Sequence, residues 1–132
     1  MTGEQRAGDG SVITVVLTGA ADETATDLLT KRISHVIERL VAAAAEQAGG
    51  VVLSIEDHSD GVSRRALREA FVSACRALVQ GFVREEGSSI PPVNIVVSDG
   101  ADHGSRDDAL DYLLGADGGF ARGTLLDLRR TR

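Results

Sequence analysis

Three short β-branched runs, each cut off by a long stretch of helical periodicity, restrict this chain to very few folds. They are Val12-Ile13-Thr14-Val15-Val16-Leu17, Val51-Val52-Leu53-Ser54-Ile55 and Val93-Asn94-Ile95-Val96-Val97. Continuous apolar runs of this length read as strands buried on both faces. Residues 22–48 carry Leu29, Ile33, Val36, Ile37, Leu40, Val41 and Ala44 at helical spacing, with Asp22 or Thr24 as cap and Gly49-Gly50 as stop. Residues 63–86 carry Leu67, Phe71, Ala74, Leu78 and Phe82 in steps of three and four, with Ser63 as cap and Pro91-Pro92 barring continuation. A shorter helix is expected over 106–115, capped by Ser105, with Asp107 and Asp108 in its first turn. A last strand is expected over 124–128. Long helices between such strands imply right-handed crossovers and a parallel sheet. The expected class is α/β in three layers, with about four parallel strands (12–17, 51–55, 93–97, 124–128) and three helices.

The domain is expected to span 12–128. Residues 1–11 lack periodicity and read as a flexible lead-in. Residues 129–132, with Arg129, Arg130 and Arg132, read as a solvated basic tail. A chain of 132 residues leaves little room for a second domain.

Composition removes several functions. Aromatic residues make up 3% of the chain and the net charge is −6. Neither suits nucleic-acid binding, which uses stacking platforms and basic surfaces. The single cysteine, Cys75, excludes a disulfide framework and a multi-Cys zinc site. No apolar run approaches the ~20 residues of a membrane span, and MTGEQRAGDG does not read as a signal peptide. A cytoplasmic location is the simple expectation.

The second half resembles the short-chain dehydrogenase/reductase family. The third strand runs Val93-Asn94-Ile95-Val96-Val97-Ser98-Asp99-Gly100 where the family has (R)VN-hydrophobic-(V/I)-(A/S)-P-G. Tyr112-Leu113-Leu114-Gly115-Ala116-Asp117 and Phe120-Ala121-Arg122-Gly123-Thr124-Leu125-Leu126-Asp127 follow the family's closing helix, loop and strand. The match covers about residues 51–128 and implies a Rossmann-like fold. The catalytic Tyr-x-x-x-Lys of the family is not carried over. Phe71 stands where Tyr belongs and Cys75 where Lys belongs, so the acid at the substrate carbonyl is missing. The only tyrosine, Tyr112, lies on another helix with no Lys four residues on. Thr18-Gly19-Ala20 resembles the opening of the family's cofactor loop, but Glu23 and Ala25 replace its later glycines. Strand 12–17 matches either the family's first strand or, with the nucleotide-binding half deleted, its middle strand. The short chain favours the deletion.

These readings imply a non-catalytic relative, a pseudoenzyme that acts as an oligomerising or accessory subunit. The family pairs its two equivalent long helices across subunits. The expected interface is therefore Val36, Leu40, Phe71, Ala74, Leu78 and Phe82, facing a second copy or a full-length relative. No cofactor is expected, and NAD(P) enters only if a partner supplies the missing half.

The alternative is a small-molecule or dinucleotide binder using the loops at the carboxyl ends of the strands, with Thr18 and Gly19 as contacts. A weaker alternative is a metal held by His58, His103 and Asp99. Glu56 and Asp99 form a candidate acid/base pair. Cys75 beside Arg76 reads as a helix-packing residue rather than a nucleophile. His35 reads as a boundary residue, and Arg64, Arg65 and Arg68 as a solvated face.

Overall fold

A computed structural model describes residues 2–7, 10–17, 24, 26–46, 49–58, 65–99, 103–115 and 121–129. Among these, five strands form one sheet in sequential order: β1 (Thr2–Ala7), β2 (Gly10–Leu17), β3 (Gly50–Asp57), β4 (Val93–Asp99) and β5 (Leu125–Asp127). Strands β2 to β5 are parallel, as the β-branched runs imply. β1 is antiparallel to β2, with Thr2 opposite Val15 and Ala7 opposite Gly10. The expected lead-in is therefore a paired edge strand over Thr2–Ala7. Only two residues separate it from β2, so a polar segment with no apolar pattern can still complete the backbone ladder.

A π-helical turn (Asp27–Arg32) runs directly into α1 (Ile33–Ala45). α2 covers Arg65–Glu86 and α3 covers His103–Leu114. The expected ends of the first helix at 22, 47 and 48 and the cap at Ser63 lie outside the described residues. β3 and β4 each run two residues beyond the β-branched run, to Asp57 and Asp99. β5 is shorter than expected, at Leu125–Asp127. α3 starts three residues before the expected 106, at His103.

Side chains alternate across a strand, so each strand feeds two layers. Ile13, Val15 and Leu17 of β2, Val51, Leu53 and Ile55 of β3, and Val93, Ile95 and Val97 of β4 meet Val36, Leu40 and Ala43 of α1 and Phe71, Val72, Cys75 and Val79 of α2. The other face sets Val12, Val52 and Val96 against Leu110 and Leu113 of α3. The apolar side chains of both layers are mainly aliphatic, and each fully buried Val, Leu or Ile contributes about 1.5–3 kcal/mol.

This layering corrects one expectation. The sheet advances in one direction from β2 to β5, yet α1 and α2 lie on one face and α3 on the other. The connection β4–α3–β5 must then have the opposite hand to β2–α1–β3 and β3–α2–β4. Three right-handed crossovers would have stacked all three helices on one face and left Val12, Val52 and Val96 in water. Covering the second face requires the change of hand.

The core also claims residues expected at an interface. Val36 and Phe71 are 0% exposed and Leu40 is 1% exposed, all within the monomer. They occupy the centre of each helix stripe, which the sheet takes first. Ala74, Leu78 and Phe82 are only partly buried. Replacement of Phe71 by alanine is expected to cost about 3–5 kcal/mol, because it leaves a cavity at a fully buried position of the larger core cluster. Urea denaturation should show this as a lower midpoint with an unchanged slope.

Candidate functional site

In an open parallel sheet, ligands approach the carboxyl ends of the strands. Here that edge carries charge on both faces. Which charge falls on which face is set by register. Glu56 pairs with Ser98, and Asp57 pairs with Asp99. Alternation then sends Glu56 and Ser98 toward α3, and Asp57 and Asp99 toward α2. The expected Glu56–Asp99 acid/base pair is split across the sheet by this one-residue offset.

On the α3 face, Glu56 Oε1 lies 3.0 Å from Nε2 of His58. Arg106, from the first turn of α3, approaches Glu56 Oε2 at 3.6 Å and donates through Nε to Ser54 Oγ at 3.2 Å. Beside Glu56, the Ser98 hydroxyl is buried with no hydrogen-bond partner among the described residues. His58 is thus paired to a carboxylate. The side chain of His103 and the whole of Thr18 and Gly19 lie outside what is described. Among the described residues no group of three His, Cys, Asp or Glu side chains could hold a metal ion.

On the α2 face, Asp57 is 6% exposed and accepts from Arg68 Nε at 3.1 Å. Arg129 reaches in from beyond β5. It donates to both oxygens of Glu69, at 2.6 and 3.2 Å, and to both oxygens of Asp127, at 3.0 and 2.8 Å. It also contacts Asp57 Oδ2 at 3.4 Å. Arg129 is therefore clamped, not a solvated tail residue, and Arg68 is not a solvated surface charge. The fork geometry of guanidinium suits two bidentate carboxylates at once. Its hydrogen bond to Arg129 holds the Asp127 carboxyl below its ordinary value, and the carboxylates hold Arg129 above its own.

Two residues of α2 that the sequence analysis singled out are buried under the sheet. Phe71 and Cys75 are both 0% exposed. Burial pushes the Cys75 thiol up from 9.0 to about 12, so it is neither a nucleophile nor a stand-in for a lysine cation. A groove of about 330 Å³ on the helix 27–45 is lined by Thr30, Lys31, Ser34, His35 and Glu38.

A comparison with protein-family models gave no match, and neither did a comparison with curated proteins. Among the described residues no helix is long and apolar enough to cross a membrane.

Two outcomes follow from the buried groups. Arg68→Ala leaves the Asp57 carboxylate without one of its cations in a nearly dry site, an expected loss of about 3–5 kcal/mol in denaturant unfolding. Cys75 is expected to resist thiol reagents in the native chain at pH 8 and to react at once in urea. Its raised folded pKa adds a linkage effect. The unfolded thiol ionises above pH 9.0 while the folded one does not until about 12, so stability falls as pH rises across that window. A Cys75→Ser variant should lose that alkaline slope.

Proposed function

We propose that this chain is a non-catalytic protein of the short-chain dehydrogenase type that associates with a second copy of itself through α1 and α2. The observation that carries this reading is the pair Ile37 and Val41, 42% and 52% exposed on the outward flank of α1. On the opposite flank, Arg32 donates to the Val16 carbonyl at 2.8 Å, on the side of β2 away from β3. Ile37, Val41 and Ala45 consequently border α2. The matching flank of α2 follows from its other side. Glu69 and Gln80 turn toward Arg129 and Gly123 near β5. Helical spacing then places Ala70, Ala74, Ala77, Leu78 and Gly81 beside α1. The two helices share an uncharged strip of small and aliphatic side chains.

Size supports a second copy as the occupant. α1 is about 20 Å long and α2 about 33 Å at 1.5 Å per residue, and two helices are about 20 Å wide. That outline is roughly 500 Å², on the scale of the ~800 Å² of accessible surface each partner contributes to a standard interface. Small residues on α2 let a partner helix approach to about 8 Å. A twofold axis would set each strip on its own copy.

Two buried side chains support the non-catalytic half of the proposal. Phe71 and Cys75 fill the core where the resemblance needs a phenol and a cation.

Sedimentation equilibrium tests the interface. The native chain is expected to form a concentration-dependent dimer. Ile37→Asp and Val41→Asp should each weaken it by about 2 kcal/mol or more, roughly thirty-fold in Kd, without changing the circular dichroism. A native chain that stays monomeric, or variants that associate as well as the parent, would remove the reading. NADH is expected to give no saturable fluorescence change.

A further inference from the structure

The face of the sheet under α3 ends in polar atoms that the chain leaves unmatched. Ser54, Glu56 and Ser98 share that face with Val52 and Val96. Glu56 and Ser98 are register neighbours on adjacent strands, about 4.8 Å apart. Ser98 is 1% exposed, and its hydroxyl has no hydrogen-bond partner among the described residues. A buried hydroxyl left in this way costs free energy, which a bound group that reaches it recovers. The other such hydroxyl among the described residues, on Ser11, stands at the far end of the sheet and on its other face.

Glu56 is half satisfied. Its Oε1 meets His58 Nε2 at 3.0 Å. Its Oε2 has Arg106 Nη2 at 3.6 Å, an ion pair too long for a hydrogen bond. A carboxylate only accepts, so the neutral His58 ring donates from Nε2 and keeps Nδ1 as an acceptor. The His58 N–H bonds to Leu17 O at 2.8 Å, which fixes the backbone from which the ring extends. Three acceptors thus lie around Glu56: its own Oε2, Ser98 Oγ and His58 Nδ1.

Arg106 supplies the opposite charge. Its Nε donates to Ser54 Oγ and its Nη1 to Asp107 Oδ1, both at 3.2 Å. Nη2 has only the distant Glu56 oxygen among the described residues. Arg106 stands in the first turn of α3, a helix of 12 residues, whose leading N–H groups add to the positive field. The Glu56 and Arg106 side chains are 13% and 15% exposed, so salt screens them weakly. Thr14 and Val16, on the same face of β2, are only partly buried, which leaves the group open on that side. A lone cation would face Arg106, and a lone anion would face Glu56. A ligand carrying both charges suits both.

We propose that these residues form a binding site for a small zwitterion of the α-amino acid type. Its ammonium group donates to Glu56 Oε2, Ser98 Oγ and His58 Nδ1. Its carboxylate takes Arg106 Nη2 and the amino end of α3. The four charges then alternate, and the ligand supplies the hydrogen bonds that the 3.6 Å pair lacks. The site stands on the α3 face, and the proposed contact between copies uses the helices of the other face, so each survives the failure of the other.

Titration of glycine and L-serine into the full chain, followed by NMR at each amide and at the His58 ring, tests the site. Both are expected to give saturable shifts at Glu56, His58, Ser98 and Arg106. Acetate and methylammonium each carry one of the two charges. At equal ionic strength they should bind at least about tenfold more weakly. Ser98→Ala should raise the Kd for glycine about tenfold and leave the urea midpoint unchanged or higher, because it removes an unmatched hydroxyl. A purely structural serine would lower the midpoint instead. No saturable response to either amino acid, or a Ser98→Ala chain that binds glycine as well as the parent, would overturn the site. Acetate or methylammonium binding as tightly as glycine would overturn the zwitterion as its ligand.

Discussion

Strand β3 has no face it can leave wet. Val51, Val52, Leu53 and Ile55 are each 0% exposed, and alternation points them to both sides of the sheet. Everything else is arranged to satisfy that strand. β2 and β4 flank it in register, α1 and α2 cover its odd-numbered side chains, and α3 covers Val52. One helical layer would bury half of the strand and leave the other half in water, at about 25 cal/mol per Å² of exposed apolar surface. The change of crossover hand at α3 follows from this requirement.

The two faces are not equivalent. The α1/α2 side is apolar through its centre and carries its buried charges, Asp57 and Arg68, at the strand-end edge. The α3 side mixes Val12, Val52 and Val96 with buried Ser54, Asn94 and Ser98. Polar groups there do specific jobs. Asn94 ties down segment 121–129, and Ser54 receives Arg106. Asn94 is also one of the residues that make the third strand resemble a dehydrogenase, and in this chain its role is structural.

Much of the fold was legible in the sequence, for a physical reason. Ile13, Leu53 and Ile95 sit in runs whose β-branched content and Gly or Pro boundaries state their own conformation locally. Stripe positions such as Leu40 and Phe71 could be read from helical spacing, although spacing alone did not say that the sheet would take them before a partner could. β1 was not legible, because Thr2–Ala7 pairs by its backbone and carries no apolar code. The charged edge was hidden for a different reason. Arg129 meets Asp57 across 72 residues, and no local spacing records such a pair. Glu56 and Asp99 looked like neighbours until the register put them on opposite faces, and register is a property of two strands, not of one.

The hand of the last crossover has a consequence for synthesis. A ribosome delivers β1 through β4 with α1 and α2 before α3 emerges, and domains begin to organise from the amino end. The growing chain can then complete one layer while Val12, Val52 and Val96 still face solvent. Ser54, Asn94 and Ser98 lie among those valines, which dilutes the adhesive surface during that interval. Until the third helix arrives, the second face is a surface of valines interrupted by polar groups rather than a continuous apolar sheet.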